Sequence, residues 1–333
     1  MDPLDKANIG TTALAITRLG LGGAPMGGLF SDVEERQAYE TLSAAYKNGV
    51  RYFDTAPLYG SGKSERFFGE FLSSVPREEF VLSTKVGRLL DNKGPVDEGG
   101  LYVNVPNLEV RYDYSRDGVL RSIDESLDRL GLDRIDIAFI HDPDEHFDIA
   151  INEAFPALED LRSQGVLKAI GAGMNQWEML ADFAREGDFD CFLLAGRYTL
   201  LDYSALEIFL PLCLEKHISV ILGGPYNSGI LASDLKPGTT YFYQTAPQEV
   251  ITRASEIKEI CSKYKVGLKA AALQFGLLHP AVASTIPGAR KPAEVLENIE
   301  SASAEIPTDL WNELKEEGLL PGSAPTKYSG GID

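Results

Sequence analysis

A chain of 333 residues with a formal net charge of -19 carries a strongly acidic surface, and no local basic patch relieves it, so nucleic acid and membrane are not expected partners. With 44% apolar and 24% charged residues, it falls outside the disordered and fibrous classes. Cys191, Cys213 and Cys261 are odd in number and widely spaced, which predicts buried thiols in a reducing compartment, and apolar runs such as 218–222 are too short to span a bilayer. A soluble cytoplasmic protein is expected, and with no linker or composition break, one domain over 1–333.

The first strand is expected over 16–21 and runs into Gly22-Gly23-Ala24-Pro25-Met26-Gly27-Gly28. A glycine-rich turn after a strand invites a dinucleotide fingerprint, but Pro25 stands where the third glycine is needed and no acid follows at the right distance. A helix follows over 31–46, opened by Ser31 and Asp32 and stopped by Asn48-Gly49. Strand two, over 50–53, delivers Asp54 where the apolar run ends, and the loop held by Pro57 and Gly60 presents Tyr59. Residues 64–72 have helical spacing with Ser64 in the capping position, and strand three, over 80–86, ends in Thr84-Lys85.

Residues 87–115 carry no helical period but contain Tyr102, Tyr112 and Tyr114, the pattern of a binding flap. A helix over 118–130 leads to strand four, over 135–140, which ends at His141. The alternation continues with a helix over 152–163, a strand over 167–172 ending near Asn175, a helix over 176–185, and strands over 191–194, 218–222 and 283–286. Eight short apolar strands alternating with helices predict an α/β fold of the closed (β/α)8 TIM-barrel type rather than two doubly wound domains. A second long loop, 234–247, is expected on the same rim as the flap.

Strand ends of a parallel barrel open onto one face, so Asp54, Lys85 and His141 converge there and Tyr59 reaches the same centre. A phenol is a poor proton shuttle near its free pKa of about 10, but an adjacent ammonium held by a carboxylate favours the phenolate. Asp54, Lys85 and Tyr59 therefore read as a tuned acid/base, with His141 orienting a substrate oxygen. Two other patterns are weaker. Pro57-Leu58-Tyr59-Gly60-Ser61-Gly62-Lys63-Ser64 ends like a phosphate-binding loop, but Pro57 replaces its first glycine and no acidic partner for magnesium is evident. His141-Asp142-Pro143-Asp144-Glu145-His146 is rich in ligand types, yet Pro143 and the absence of i,i+4 histidines point to a solvated acidic loop, and no metal is expected.

Phe53-Asp54-Thr55-Ala56-x-x-Tyr59-Gly60, Ser83-Thr84-Lys85, Ile140-His141, Asn175, and Ile286-Pro287 with Glu297-Asn298 resemble the aldo-keto reductase superfamily over nearly the whole chain. The resemblance implies a (β/α)8 barrel that binds a nicotinamide cofactor and moves hydride between it and a carbonyl or alcohol. It also implies catalytic roles for Asp54, Tyr59, Lys85 and His141. Within the superfamily, the stretches 173–178, 193–202 and 223–231 resemble D-threo-aldose 1-dehydrogenases, often called L-fucose dehydrogenases, with pyridoxal 4-dehydrogenases close by. Oxidation of a sugar hemiacetal to a lactone is thereby implied, the alternatives being a pyridoxal-like substrate, a general aldehyde reductase, or a noncatalytic regulatory barrel. Selectivity is expected in loops 87–115 and 234–247 and in the tail after Leu320.

The same resemblance implies cofactor contacts from Gly23 and Ala24, from Asp54 and Asn175, and from Gly224, Pro225, Asn227, Ser228, Gly229 and Leu231. Beyond strand eight it adds Ile286, Gly288, Arg290, Glu294, Glu297 and Asn298. Ala195 stands where relatives often place a glutamine, and Gly223 where they often stack an aromatic ring, which leaves Asn175 as the main carboxamide candidate. Relatives that prefer NADP commonly place a lysine and an arginine where this chain has Gly288 and Glu294. A carboxylate repels the 2′-phosphate and accepts from a ribose hydroxyl, so NAD is expected, with NADP left open by Arg290 and Lys291.

Overall fold

Eight short runs of mainly Val, Ile, Leu, Ala and Phe pair side by side in parallel: β1 Leu21–Gly22, β2 Tyr52–Asp54, β3 Val81–Val86, β4 Ile137–His141, β5 Ala169–Met174, β6 Cys191–Ala195, β7 Ser219–Gly223 and β8 Val282–Ile286. The computed structural model describes residues 2–91, 100–236 and 238–328. Each strand neighbours its successor in sequence, and isolated bridges Leu19↔Thr285 and Gly22↔Gly288 close the seam between β1 and β8. There Gly20 N donates to Thr285 O at 2.9 Å and Gly22 N to Pro287 O at 3.1 Å. The result is the expected (β/α)8 barrel.

Alternation along the strands divides the core in two. Tyr52, Ile137, Phe139, Leu193 and Ile221 turn into the barrel, while Ala138, Ile140, Phe192 and Leu194 face the surrounding helices. All three cysteines are buried and free, as expected. No helix among the described residues is long and apolar enough to cross a membrane.

Several boundaries differ from the expectations for local reasons. The run 16–21 is two elements: Ala15–Thr17 pairs antiparallel with Lys6–Asn8 in a hairpin that sends Ile9 and Ile16 into the barrel floor, and β1 begins only at Leu21. The first helix starts at Glu35 rather than at Ser31, and Ser64 lies inside helix Lys63–Leu72, where its buried hydroxyl donates to Gly23 O at 2.9 Å instead of capping. Helix Arg116–Leu130 does have a serine cap, Ser115 accepting from Gly118 N at 3.1 Å.

Both long loops carry strands of their own. The flap folds as a hairpin of Arg88–Asp91 against Glu109–Tyr112; its residues 92–99 lie outside the described residues. In the loop 234–247, Thr240–Tyr241 pairs with Gln244–Thr245 around a two-residue turn, Phe242 and Tyr243, at φ 44° and 64°. Such turns favour Asn-Gly, so two aromatic residues there hold a strained backbone that places both rings over the barrel mouth. In the described part of the tail, Tyr328 packs on Arg18 beneath the barrel, its ring centroid 4.5 Å from the guanidinium carbon, rather than at the mouth; residues 329–333 lie outside the described residues.

Candidate active site at the mouth of the barrel

Asp54 ends β2 and Lys85 lies near the end of β3, neighbouring strands whose pairing sets Asp54 opposite Ser83. Lys85 Nζ donates to Asp54 Oδ2 at 2.8 Å and to Thr55 O at 2.8 Å, and Ser83 Oγ donates to Asp54 Oδ1 at 2.7 Å. Burial pushes the Asp54 carboxyl up, opposed by the ammonium and by the serine hydroxyl. The pair is fully enclosed and is held from the barrel interior by Tyr52, whose hydroxyl lies 3.0 Å from Ser83 Oγ.

Tyr59 leaves the β2 end on a tight loop that seats directly on the first turn of the chain. A Cβ on Gly27 would lie 2.5 Å from the Tyr59 carbonyl carbon, so this glycine is what admits the tyrosine. Lys85 Nζ sits 4.5 Å from the Tyr59 ring centroid, and the His141 ring meets Tyr59 edge-on at 5.9 Å. All four predicted catalytic residues therefore converge.

The electrostatics depart from the expected tuning. Tyr59 is pushed well above its ordinary value, first by burial and then by Asp54, Tyr102, Tyr243 and Asp142. Lys85 spends its charge on Asp54 and Thr55 and lies against the ring, so burial, with Asp54 after it, prevails and the protonated phenol is favoured. His141 is held well below the usual histidine range by burial and by the cations Arg88 and Lys85, which keeps it neutral. Its Nδ1 is buried without a partner, and neutral imidazole can offer either a donor or an acceptor to an oxygen in the cavity.

Two hollows meet at Tyr59. A groove runs across the β1–β8 seam, between Gly22–Pro25, Gly223–Gly224, Asn227–Ser228 and Ile286–Gly288. A second cavity opens beside it toward Lys85, Arg88, Tyr102, His141 and Asp142. Ala24, Leu29, Asn175, Leu193, Ala195 and Tyr243 face both. Phe30, Phe242 and Tyr243 wall the groove with aromatic rings, Phe30 and Tyr243 being 6.2 Å apart. Asn175 is engaged by Tyr243, since a hydrogen bond between them opposes the burial that raises that phenol.

A scan against family models matches the chain over residues 18–317 to the aldo/keto reductase family. The chain belongs to this family. Among curated relatives, D-threo-aldose 1-dehydrogenase of a Pseudomonas species is 44% identical over 92% of this chain and 96% of its own length. Pyridoxal 4-dehydrogenase of Microbacterium luteolum is 40% identical over 95% and 98%. An aldo-keto reductase from Bacillus halodurans, solved in its holo form, shares the fold with a TM-score of 0.75 at 23% identity, covering 99% of each chain.

As an aldo-keto reductase, this protein is an NAD(P)-dependent oxidoreductase, and its groove suits the cofactor. Asn227 Oδ1 is buried with no partner while Asn227 Nδ2 donates to Gly196 O at 3.2 Å, leaving an acceptor in the groove wall. A Cβ on Gly223 would press on Leu193 Cδ2 at 3.2 Å, so the floor there stays flat. Of the expected cofactor residues, Gly23, Ala24, Asp54, Asn175, Gly224, Asn227, Ser228, Ile286 and Gly288 line the groove.

The remaining expected residues stand back from it. Leu231 is core, with no exposed surface. Glu297 pairs with Lys269 at 3.0 Å, and Asn298 Oδ1 accepts from the Tyr226 hydroxyl at 2.9 Å. Arg290 donates through Nη2 to Leu29 O at 2.8 Å, and its N–H donates to Glu294 Oε2 at 2.7 Å. Pro225 and Gly229 belong to the same turn but do not face the groove. Arg88, Phe30, Phe242 and Tyr243 escaped the sequence reading, because none sits at the C-terminal end of a barrel strand. The phosphate-loop pattern also dissolves here, as Lys63 is committed to Asp32 at 2.6 Å.

Proposed function

We propose that this enzyme oxidises the anomeric hemiacetal carbon of an aldose, such as L-fucose or a related D-threo-aldose, to the lactone, with NAD preferred over NADP. The observation that carries the proposal is the meeting of groove and cavity at Tyr59. A hydroxyl placed there touches the phenol, with Lys85 beneath and neutral His141 edge-on. When bound, the nicotinamide supplies the hydride acceptor. Tyr59 must first release its own proton to solvent; as the phenolate it would then take the hydroxyl proton as the carbon loses its hydride, and His141 orients the oxygen. Asp54 fixes the ammonium that supports the anion formed on Tyr59.

Gly23, Ala24, Asn175, Gly224, Asn227, Ser228, Ile286 and Gly288 would hold the cofactor. Glu294 does not line the groove but is held by the Arg290 N–H just beyond its Gly288 end, where it would disfavour a 2′-phosphate extending past the groove, which supports NAD. The 44% identity to D-threo-aldose 1-dehydrogenase supports the sugar. A second reading, a pyridoxal-like alcohol, is favoured by the aromatic walls Tyr102 and Tyr243 and by the 40% identity to pyridoxal 4-dehydrogenase. The net charge of -19 supports a small-molecule partner in a cytoplasmic setting rather than a polyanionic one.

One experiment tests these together: the purified protein is offered L-fucose, other aldoses and pyridoxal with NAD and with NADP, and formation of reduced cofactor is followed by absorbance. The expected outcome is the highest kcat/KM for an aldose with NAD. Turnover of pyridoxal alone would transfer the assignment to the second reading, and a preference for NADP would remove Glu294 as the discriminating residue.

A further inference from the structure

The substrate cavity contains an ion pair outside the catalytic group. Arg88, the first residue of the flap hairpin, donates through Nη2 to Asp142 Oδ2 at 3.0 Å, and both side chains line the cavity. Among the described residues that line it, Asp142 is the only carboxylate. Its side chain retains 26% exposure against 8% for Arg88, so the carboxylate is the more open of the two.

The backbone is bent to place this carboxylate. Asp142 has φ 40°, a left-handed conformation that costs a non-glycine residue free energy and persists only when its surroundings enforce it. The buried Tyr114 does so: its hydroxyl lies 2.6 Å from His141 O and 3.0 Å from Asp142 O and is shared between them. Asp142 N donates to Gly173 O at 3.0 Å on the neighbouring strand. The enforced bend leaves Asp142 Oδ2 3.5 Å from His141 Nε2. A carboxylate that accepts and a guanidinium that donates can satisfy both roles of one alcohol, which neither charge could do alone.

We infer that Asp142 and Arg88 form the specificity pair of the cavity and read the sugar hydroxyl adjacent to the anomeric carbon, a reading that rests on the aldose assignment above. The oxygen oriented by His141 is the anomeric one, and the carboxylate stands one hydrogen-bonding group away from that imidazole, which selects the neighbouring hydroxyl. Tyr114 is a positioning residue for the pair, since its hydroxyl holds the backbone of His141 and Asp142 and it also hydrogen-bonds the Arg88 side chain. The acidic loop after β4 thus has a task that involves no metal.

The test compares kcat/KM for L-fucose, and for every other aldose oxidised, with that for the 2-deoxy analogue, in the wild type and in Asp142→Asn and Arg88→Lys. Asparagine keeps the side-chain size and tolerates positive φ, and melting temperatures confirm the fold of each variant. The wild type should favour the parent sugar by roughly 10-fold to 100-fold, and both variants should shrink that ratio toward one, chiefly by loss on the parent. Asp142 also helps to raise the Tyr59 phenol, but both sugars use Tyr59, so this effect cancels in the ratio. An equal loss on both sugars, or an unchanged ratio, would overturn the inference and leave the pair structural. If the wild type oxidises aldoses without favouring the 2-hydroxyl, this inference alone falls; if it oxidises no aldose, the aldose assignment falls with it.

Discussion

The two ends of the barrel bury polar groups in opposite ways. At the mouth, Lys85 and Asp54 neutralise each other next to two hollows, and His141 presents a buried, unpartnered Nδ1. At the floor, buried polar groups bond mainly to the main chain. Arg18, 2% exposed, donates through Nη2 to Leu277 O at 3.1 Å and Val282 O at 3.2 Å, and through Nη1 to the Tyr328 hydroxyl at 3.0 Å. Ser219 Oγ accepts from Gly10 N at 2.9 Å, and His279 Nδ1 accepts from Ala281 N at 3.2 Å. Burial alone thus does not mark a site; what marks it is polar groups aimed at space rather than at backbone.

If this contrast is right, a change at the mouth should damage turnover and spare stability, and a change at the floor should do the reverse. The largest effect is expected from Tyr59→Phe, which keeps the ring and removes the proton acceptor. Its chemical step should slow by roughly 100-fold to 10,000-fold while the melting temperature and cofactor binding stay close to wild type, as single-turnover kinetics and thermal unfolding would show. Wild-type turnover in this variant would remove Tyr59 from the chemistry.

At the floor, burial lowers His279 from 6.5 to about 4. The unfolded chain takes up a proton there below pH 6.5 while the folded chain stays neutral until about pH 4, so stability is lost as pH falls through that window. The loss from this residue reaches about 3 kcal/mol by pH 4. His279→Gln should flatten the acid limb of urea-unfolding midpoints while leaving turnover at neutral pH intact. A limb as steep as wild type would show that other groups control it.

The smallest effect is expected from Arg18→Met. It strands the carbonyls of Leu277 and Val282 and should lower unfolding free energy by roughly 2 kcal/mol with kcat/KM unchanged. A large loss of activity in that variant would mean that floor and mouth are coupled, and the contrast would fail.

How much of this was legible in the sequence follows the same division. Asp54, Lys85 and His141 were visible because each closes an apolar run, and strand ends converge by geometry alone. The barrel order was legible for the same reason, with the boundaries of strands two to eight offset by a residue or two and the first strand and first helix beginning four or five residues later than expected. The floor hairpin was not, because Ala15–Thr17 and β1 are separated only by Arg18, Leu19 and Gly20 and join into one apolar-looking run. Arg88 and Asp142 were hidden because their pairing joins an inserted hairpin to a strand end, which no local pattern encodes. The Tyr59 proton affinity was misjudged because the effect of Lys85 depends on where its ammonium points, and it points at Asp54 and Thr55. Phe242 and Tyr243 carried a faint signal, as a pair of bulky residues between two short polar strands.

The seam that closes the barrel has a consequence for how the chain comes together. β1 waits for β8 across nearly the entire sequence, and during synthesis an exposed strand edge can recruit the wrong partner. β1 limits that hazard by being only two residues long, Leu21–Gly22, too brief a template to hold a stray strand in register. The brevity that made the first strand hard to see in the sequence protects the nascent chain until its last strand arrives.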